Sequence, residues 1–203
     1  MPRVLIIGTG IAGLFAALRL ANAEYMVTVL TKQRPKDSST NWAQGGIAAI
    51  LDKTNVEEID GHVLDTLLAG DGMCNKAVVQ MVVEEAGERI QDLLEIGVQF
   101  EKNNQGEFQL AQEGGHSSRR ILHAKDATGR EIERALNDAA QHHPNISMKP
   151  NTLAIDLIQR EHKNPKEGIC GVWALDQDSG KVETIPGDAV LLATGGAGQL
   201  WEK

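Results

Sequence analysis

Three glycines near the N-terminus have the spacing of a phosphate-binding turn. Gly8, Gly10 and Gly13 form the pattern Gly-x-Gly-x-x-Gly. In such a turn the first glycine permits a sharp bend, the second lets the backbone approach a pyrophosphate, and the third lets the next helix pack closely on the strand. The phosphates then meet the positive N-terminal end of that helix. The pattern predicts a dinucleotide site made by Gly8, Thr9, Gly10, Ile11, Ala12 and Gly13, against a simple glycine-rich packing turn as the alternative.

The elements on either side of this turn are those of a strand-helix-strand unit. Residues 4–7 are an apolar run that predicts a strand, and apolar residues recur at helical spacing over 14–21. A second predicted strand, 26–31, should end in an Asp or Glu that binds ribose hydroxyls. It ends in Thr31 and Lys32 instead. This departure argues against a plain nicotinamide-dependent dehydrogenase.

The rest of the chain predicts helices, then short strands, then a second glycine-rich loop. Periodicity divides it into helices at 57–69, 76–96 and 128–141 and strands at 146–149, 153–159, 170–176 and 182–185. We interpret these strands as a small β-rich unit. A final strand, 189–193, enters the loop that contains Gly195 and Gly196. We expect two glycine-rich turns at opposite ends of one sheet. This arrangement suits a large two-part cofactor and therefore favours FAD over NAD.

Several segments resemble one flavoprotein family and occur in its order. Residues 39–49, STNWAQGGIAA, resemble the flavin loop of the succinate dehydrogenase and fumarate reductase superfamily. Residues 113–117, EGGHS, with RRILHA at 119–124 and DATG at 126–129, resemble the L-aspartate oxidases within it. Residues 193–198, ATGGAG, resemble the second FAD-contacting loop of that family. The resemblance therefore extends from one end of the chain to the other.

The resemblance implies FAD as a cofactor that is bound without a covalent link. Respiratory members of the superfamily attach the flavin to a histidine five residues before the loop glutamine, and Ser39 occupies that position relative to Gln44. Serine cannot form the histidyl link. Lys32 is expected on the adenosine ribose side. Beyond the first turn, the implied cofactor contacts are Lys32, Ser39, Thr40, Asn41, Trp42, Ala43, Gln44, Gly45, Gly46, Ala193, Thr194, Gly195 and Gly196.

Glu113 is the residue expected to recognise a substrate. L-aspartate differs from succinate by its α-ammonium, and a carboxylate beside that group would neutralise it and orient the Cα–H bond toward flavin N5. In the resemblance, Glu113 matches the glutamate with this orienting role; a solvated loop glutamate is the alternative. His116 and His123 lack the spacing and companions of a metal site, so we expect no metal. The sequence leaves two roles open for Arg119 and Arg120. One is contact with the flavin or with a substrate carboxylate, and the other is structural.

Composition excludes several classes of protein. The 203-residue chain has a formal net charge of -8 and no basic run, which argues against nucleic acid or an anionic membrane as a partner. No apolar run approaches the roughly 20 residues that cross a bilayer, and the first strand starts too near Met1 for a signal peptide. Cys74 and Cys170 are expected to be buried, small apolar residues. The cytoplasm is the expected compartment.

The expected fold is α/β: a Rossmann-like FAD-binding domain over residues 1–203, with a parallel central sheet and a small β-meander. The implied reaction is oxidation of L-aspartate to iminoaspartate, with oxygen or fumarate as electron acceptor, in NAD biosynthesis with a link to quinolinate synthase. The family's capping domain would follow Lys203, so we expect an N-terminal part that is incomplete for catalysis. A non-catalytic dinucleotide-binding module and a fumarate reductase fragment are the alternatives, and Glu113 argues against the second.

Overall fold

The computed structural model describes residues 1–125, 127–162 and 164–196, in two compact units. The first unit combines Met1–Trp42 with Glu133–Lys203, and the second comprises Ala43–Ile132. Asp126, Ala197 and Gly198, which belong to segments that resemble the flavoprotein family, lie outside the described residues.

The helices and strands follow one another in an α/β order. They are β1 (Arg3–Ile7), α1 (Ile11–Asn22), β2 (Met26–Leu30), α2 (Ser39–Trp42), β3 (Ile47–Ala48), α3 (Val56–Ala69), α4 (Lys76–Ile96), β4 (Ile121–Leu122), α5 (Thr128–His142), β5 (Ile146–Lys149), β6 (Thr152–Gln159), β7 (Ile169–Asp176), β8 (Lys181–Pro186) and β9 (Ala189–Leu192).

A parallel sheet with the strand order β5-β2-β1-β9 forms the centre of the first unit. Its two faces are both covered, which is why β1 is apolar at successive positions rather than alternating. Val4 and Ile6 pack with Ala17 of α1 on one face. Leu5 packs on the other face with residues of the antiparallel meander β6-β7-β8, among them Val172. The predicted α/β class, with its parallel sheet and β-meander, is confirmed.

One strand lies in a different sheet from the one expected. The sequence pattern places the run 146–149 in the small β-rich unit, but β5 pairs in parallel with β2, with Val27 opposite Ile146. Because β5 follows a helix, it enters the sheet through a crossover connection, as parallel strands require. The meander consists of β6, β7 and β8. Strand periodicity predicts that a segment is extended, and it carries no information about the partner strand.

The expectation of glycine-rich turns at opposite ends of the sheet is wrong. Strands β1 and β9 are parallel neighbours, with Ile7 opposite Leu192. Gly8 follows β1 and Ala193 follows β9, so both turns lie at the carboxyl edge of the sheet. Ligands of open parallel sheets bind at this edge.

The second unit contains helices α3 and α4, which share an apolar cluster of Ile50, Ile59, Val63 and Val83. Helix α4 begins after Asn75, whose side chain accepts hydrogen bonds from two backbone N–H groups, and ends at Gly97 with φ 104°. The short strands β3 and β4 pair antiparallel, with Ile47 opposite Leu122. This pairing brings the segment after residue 43 beside the segment after residue 120.

Cys74 and Cys170 are free thiols and only half-buried, so the expectation that both are buried is wrong. Across the described residues, every helix is either too short or too polar to cross a bilayer.

Candidate cofactor and substrate sites

The first glycine turn is shaped by close backbone packing at two of its three glycines. Gly8 has φ 116°, and a Cβ there would lie 2.1 Å from the carbonyl oxygen of Ala193. A Cβ on Gly13 would lie 2.0 Å from the carbonyl oxygen of Gly8. Gly8 is therefore required by the approach of the β9 segment, and Gly13 by the approach of helix α1 to the turn.

Packing within the chain does not explain Gly10. It is the N-cap of α1, with φ -69° and ψ 177°, a conformation open to any residue. A Cβ there would meet Thr40 Oγ1 at 3.4 Å, an ordinary contact. Since the first N–H groups of a helix lack intrahelical acceptors and carry partial positive charge, the space at Gly10 fits an approaching phosphate. The residues present thus fit a dinucleotide.

The segment 38–42 lies against the start of α1. The N–H of Ile11 donates to Thr40 Oγ1 at 3.0 Å, so a residue of the predicted flavin loop caps the helix. Ser39 is exposed and Trp42 is 73% exposed. At the end of β2, buried Thr31 accepts a hydrogen bond from Thr9 Oγ1 at 3.3 Å, where a nicotinamide dehydrogenase would carry an acid. Lys32 is exposed at the same edge of the sheet.

The second glycine loop starts beside the first. The N–H of Ala193 donates to the carbonyl oxygen of Ile7 at 2.9 Å, and Gly195 has φ 76°. The first unit therefore brings together most of the predicted cofactor contacts at one sheet edge: 8–13, 32, 39–42 and 193–196. The remaining predicted contacts, Ala43, Gln44, Gly45 and Gly46, belong to the second unit.

Glu113 lines a cavity of about 450 Å³ in the second unit. The other lining residues are Gln44, Gly46, Ala111, His123 and Lys125. The N–H of Gly46 donates to Glu113 Oε1 at 3.3 Å, which holds the carboxylate at the cavity. Gly46 has no room for a side chain, because a Cβ would lie 2.4 Å from the carbonyl oxygen of Leu122. Two of the predicted flavin-loop residues thus share a cavity with the predicted substrate residue.

The cavity is lined by both a carboxylate and an ammonium group. Exposed Glu113 and exposed Lys125 are among its lining residues, so it offers opposite charges to one small ligand. Lys125 has φ 50°, a left-handed conformation that is uncommon outside glycine, and its N–H donates to Glu101 Oε1 at 3.1 Å. His123 Nδ1 lies 3.2 Å from Glu101 Oε2. Sequence reasoning missed Lys125, because no pattern in its segment distinguishes it from a surface lysine.

Arg120 fixes the segment that follows Glu113. Its side chain is almost fully buried and donates to Asp65 Oδ2 at 2.6 Å and to Ser118 Oγ at 2.8 Å. The Ser117 N–H also donates to Asp65, at 2.7 Å. This backbone hydrogen bond lowers the pKa of Asp65 to about 2, together with the hydrogen bonds from the Ser117 hydroxyl and from Arg120. Of the two roles left open for this arginine, the geometry favours the structural one.

Two histidines lie beside this ion pair. The rings of His62 and His116 are 5.4 Å apart, and the buried His62 ring has no hydrogen-bond partner for its Nδ1 among the described residues. Burial, followed by the charges of Arg120 and His116, lowers the pKa of His62. Within residues 1–125, 127–162 and 164–196, no three His, Cys, Asp or Glu side chains are grouped to hold a metal ion.

The family model described as FAD binding domain matches residues 3–203. The chain belongs to the FAD binding domain family. FAD is accordingly its cofactor, and the glycine turn with its open Gly10 provides a fitting environment for the pyrophosphate.

Curated relatives and solved structures agree with this family. The L-aspartate oxidase of Yersinia pestis is 45% identical over 98% of this chain and 38% of its own length. The L-aspartate oxidase 2-a, chloroplastic, of Nicotiana tabacum is 42% identical over 97% of this chain and 30% of its own length. The chain therefore spans under two fifths of these relatives. The FrdA chain of E. coli quinol fumarate reductase superposes with a TM-score of 0.86 at 28% identity, over 98% of this chain and 33% of FrdA. The resemblance to the L-aspartate oxidases is confirmed.

Proposed function

We propose that this chain is the FAD-binding part of an L-aspartate oxidase. The reaction converts L-aspartate to iminoaspartate: the Cα–H bond breaks, the amino group loses a proton, and a C=N bond forms. FAD, when bound, would supply the two-electron oxidant that takes up the hydride, with oxygen (reduced to hydrogen peroxide) or fumarate (reduced to succinate) as the final electron acceptor. The presence of both Glu113 and Lys125 in the lining of one cavity is the observation that carries this proposal.

The two charges suit an amino dicarboxylate better than succinate. The Glu113 carboxylate binds the α-ammonium, and the Lys125 ammonium binds a substrate carboxylate, each through a charge-assisted hydrogen bond. Such a bond contributes about 1.5 to 3 kcal/mol. Because succinate has no ammonium group, it would leave Glu113 unpaired and close to its own negative charge. Glu113 therefore selects L-aspartate and fixes the orientation of its Cα.

The cofactor contacts follow from the glycine turns. In the first unit, the start of α1 binds the pyrophosphate at 8–13, Lys32 binds on the adenosine ribose side, and 39–42 and 193–196 complete the contacts. In the second unit, 43–46 contact the isoalloxazine. Ser39 leaves the flavin dissociable. In the cell, the product feeds NAD biosynthesis through a quinolinate synthase, and we assign the reaction to the cytoplasm, where two free cysteines stay reduced.

A chimera tests the proposed reaction. The chain is continued with the part of the Yersinia pestis relative that lies beyond the matched region, and flavin bleaching is followed during anaerobic mixing with L-aspartate. We expect bleaching by the chimera, none by the 203-residue chain, and none by the chimera with succinate. Bleaching with succinate alone would favour a fumarate reductase, and a chimera that binds FAD yet bleaches with neither ligand would favour a non-catalytic module.

A further inference from the structure

Glu133 is a buried acid that the proposed reaction does not use. Its side chain on α5 is about 1% exposed. Its Oε2 accepts a hydrogen bond from Ser38 Oγ at 2.9 Å, and its Oε1 accepts one from Asn137 Nδ2 at 2.8 Å. Within the part of the chain that the structure describes, no ion pair reaches this carboxyl group. Burial raises its pKa, against the two hydrogen bonds, which lower it. A buried and unpaired carboxylate is costly, so the group needs an explanation.

Ser38 connects this acid to the start of α1. A Cβ built on Gly10 would lie 4.0 Å from the Ser38 Cβ and 3.4 Å from Thr40 Oγ1. Thr40 caps the helix through the Ile11 N–H. Ser38 therefore lies next to Gly10, and its hydroxyl is hydrogen-bonded to Glu133. The same serine also accepts a weak hydrogen bond from the Asn41 N–H at 3.4 Å, which ties it to α2.

The protonation state of Glu133 decides where the Ser38 hydrogen points. A hydroxyl has one hydrogen, and an ionised carboxylate can only accept. While Glu133 is ionised, the Ser38 hydrogen is committed to it, and a negative charge lies near the start of α1. Once protonated, Glu133 can itself donate to Ser38 Oγ, which leaves the serine hydrogen free for a phosphate oxygen. A nearby anion favours this protonated state.

We propose that Glu133 is a positioning residue for the FAD pyrophosphate, that it acts through the Ser38 hydroxyl, and that FAD binds together with one proton taken up by Glu133. The inference rests on the proposed placement of the pyrophosphate at the start of α1. It assigns roles to two residues outside the predicted contacts. The proton moves from solvent to the Glu133 carboxylate, and no bond in FAD changes.

Most charged groups around Glu133 are exposed, whereas Glu133 itself is buried. On the segment that carries Ser38, the charged residues are Arg34, Lys36 and Asp37, and all are exposed. On α5, Arg130, Arg134 and Asp138 are exposed as well, and Glu131 is half-buried and accepts a hydrogen bond from the Gln99 N–H at 2.9 Å. Solvent screens exposed charges, so they contribute a weak and steady background. The buried carboxyl group is therefore the one that responds to a nearby pyrophosphate.

FAD affinity measured across a series of pH values tests the proposal. Quenching of FAD fluorescence gives the dissociation constant for the 203-residue chain, for E133Q, for S38A and for the control D138N, which removes an exposed acid from the same helix. In the unsubstituted chain and in D138N, affinity should fall by up to about tenfold per pH unit above the pKa of Glu133. E133Q should keep the high affinity of the acidic range at every pH. S38A should bind FAD about tenfold more weakly in the acidic range.

Proton uptake provides a readout that needs no variant. Calorimetric titration of FAD into the unsubstituted chain, in buffers of different ionisation enthalpy, counts the protons taken up on binding. Up to one proton should be taken up when the pH lies between the Glu133 pKa of the free chain and that of the FAD-bound chain. FAD binding without proton uptake, or the same pH slope in E133Q as in the unsubstituted chain, would overturn the role of Glu133 and leave the proposed function standing. Failure of the unsubstituted chain to bind FAD would instead contradict the proposed function.

Discussion

The N–H of Ile11 donates to the hydroxyl of Thr40 at 3.0 Å, across 29 residues of sequence. This bond attaches the segment 38–42 to the first turn of α1, where the helix has no side-chain cap from its own N-cap residue, Gly10. A single hydroxyl thus joins two segments of the predicted cofactor site, 8–13 and 39–42, within the first unit.

Substitutions of Gly10 and Gly13 should have different effects: the first should weaken FAD binding, and the second should lower the stability of the fold. Gly10→Ala adds a methyl group at an ordinary contact distance of 3.4 Å from Thr40 Oγ1, so thermal unfolding followed by circular dichroism should change little while FAD affinity falls at least about tenfold. Gly13→Ala drives a Cβ into the Gly8 carbonyl and should destabilise the chain by about 1 to 3 kcal/mol or more. Unchanged FAD affinity in Gly10→Ala would show that the first turn does not hold the pyrophosphate.

Thr40 should contribute as a helix cap. Thr40→Val keeps the shape but removes the acceptor of the Ile11 N–H, so it should cost about 1 kcal/mol in chemical denaturation. Thr40→Ser keeps the hydroxyl and is the matched control, with stability close to that of the unsubstituted chain. Equal stability of the valine and serine variants would mean that this hydrogen bond does not stabilise the helix start.

Local patterns predicted the first turn and its flanking elements because each depends on neighbours in sequence. Helix α4 has the predicted bounds, since Asn75 and Gly97 are start and stop signals that need no tertiary contact. The partner of 146–149 and the edge that holds the second turn depend on strand order, which periodicity does not encode. Ser38, Lys125 and Glu133 were missed for the same reason. Their significance comes from residues distant in sequence, and a lone serine, lysine or glutamate carries no local signal.

Asp65 and His62 should make the chain sensitive to acid in two separate ranges. Both pKa values are lowered in the folded chain, from 3.8 to about 2 for Asp65 and from 6.5 for His62. The unfolded chain therefore binds more protons, and stability present above the unfolded pKa is lost as the pH falls. His62→Phe should flatten the loss that begins near pH 6.5, and Asp65→Asn the loss that begins near pH 3.8. Denaturant unfolding at a series of pH values measures both slopes. If the free energy of unfolding of His62→Phe keeps the original slope against pH near neutrality, His62 is not the cause of that slope.

Flavin bound by this chain should be released by acid. The resemblance to the superfamily assigns Ser39 to the position of the attachment histidine of the respiratory enzymes, and a serine cannot form that bond. After FAD loading and precipitation with trichloroacetic acid, all flavin absorbance should appear in the supernatant and none in the washed pellet. Flavin retained in the pellet of the unsubstituted chain would contradict the assignment of a dissociable cofactor.

Glu113 and Lys125 should divide substrate recognition between them. Removing the Glu113 charge in Glu113→Gln eliminates the partner of the α-ammonium, so binding of L-aspartate should weaken about 10- to 100-fold while succinate binding stays equal or improves. Lys125→Met removes the partner of a carboxylate, which both ligands have, so both should weaken to a similar degree. Calorimetric titration of the FAD-loaded chain with each ligand measures these four effects, and Lys102→Met, a lysine outside the cavity lining that lies over the Phe108 ring, is the matched control. The contrast between the variants carries the test, because a loss of folding would weaken both ligands in both variants. If Glu113→Gln weakens succinate as much as L-aspartate, Glu113 does not read the ammonium group, and the preference for L-aspartate must come from other residues.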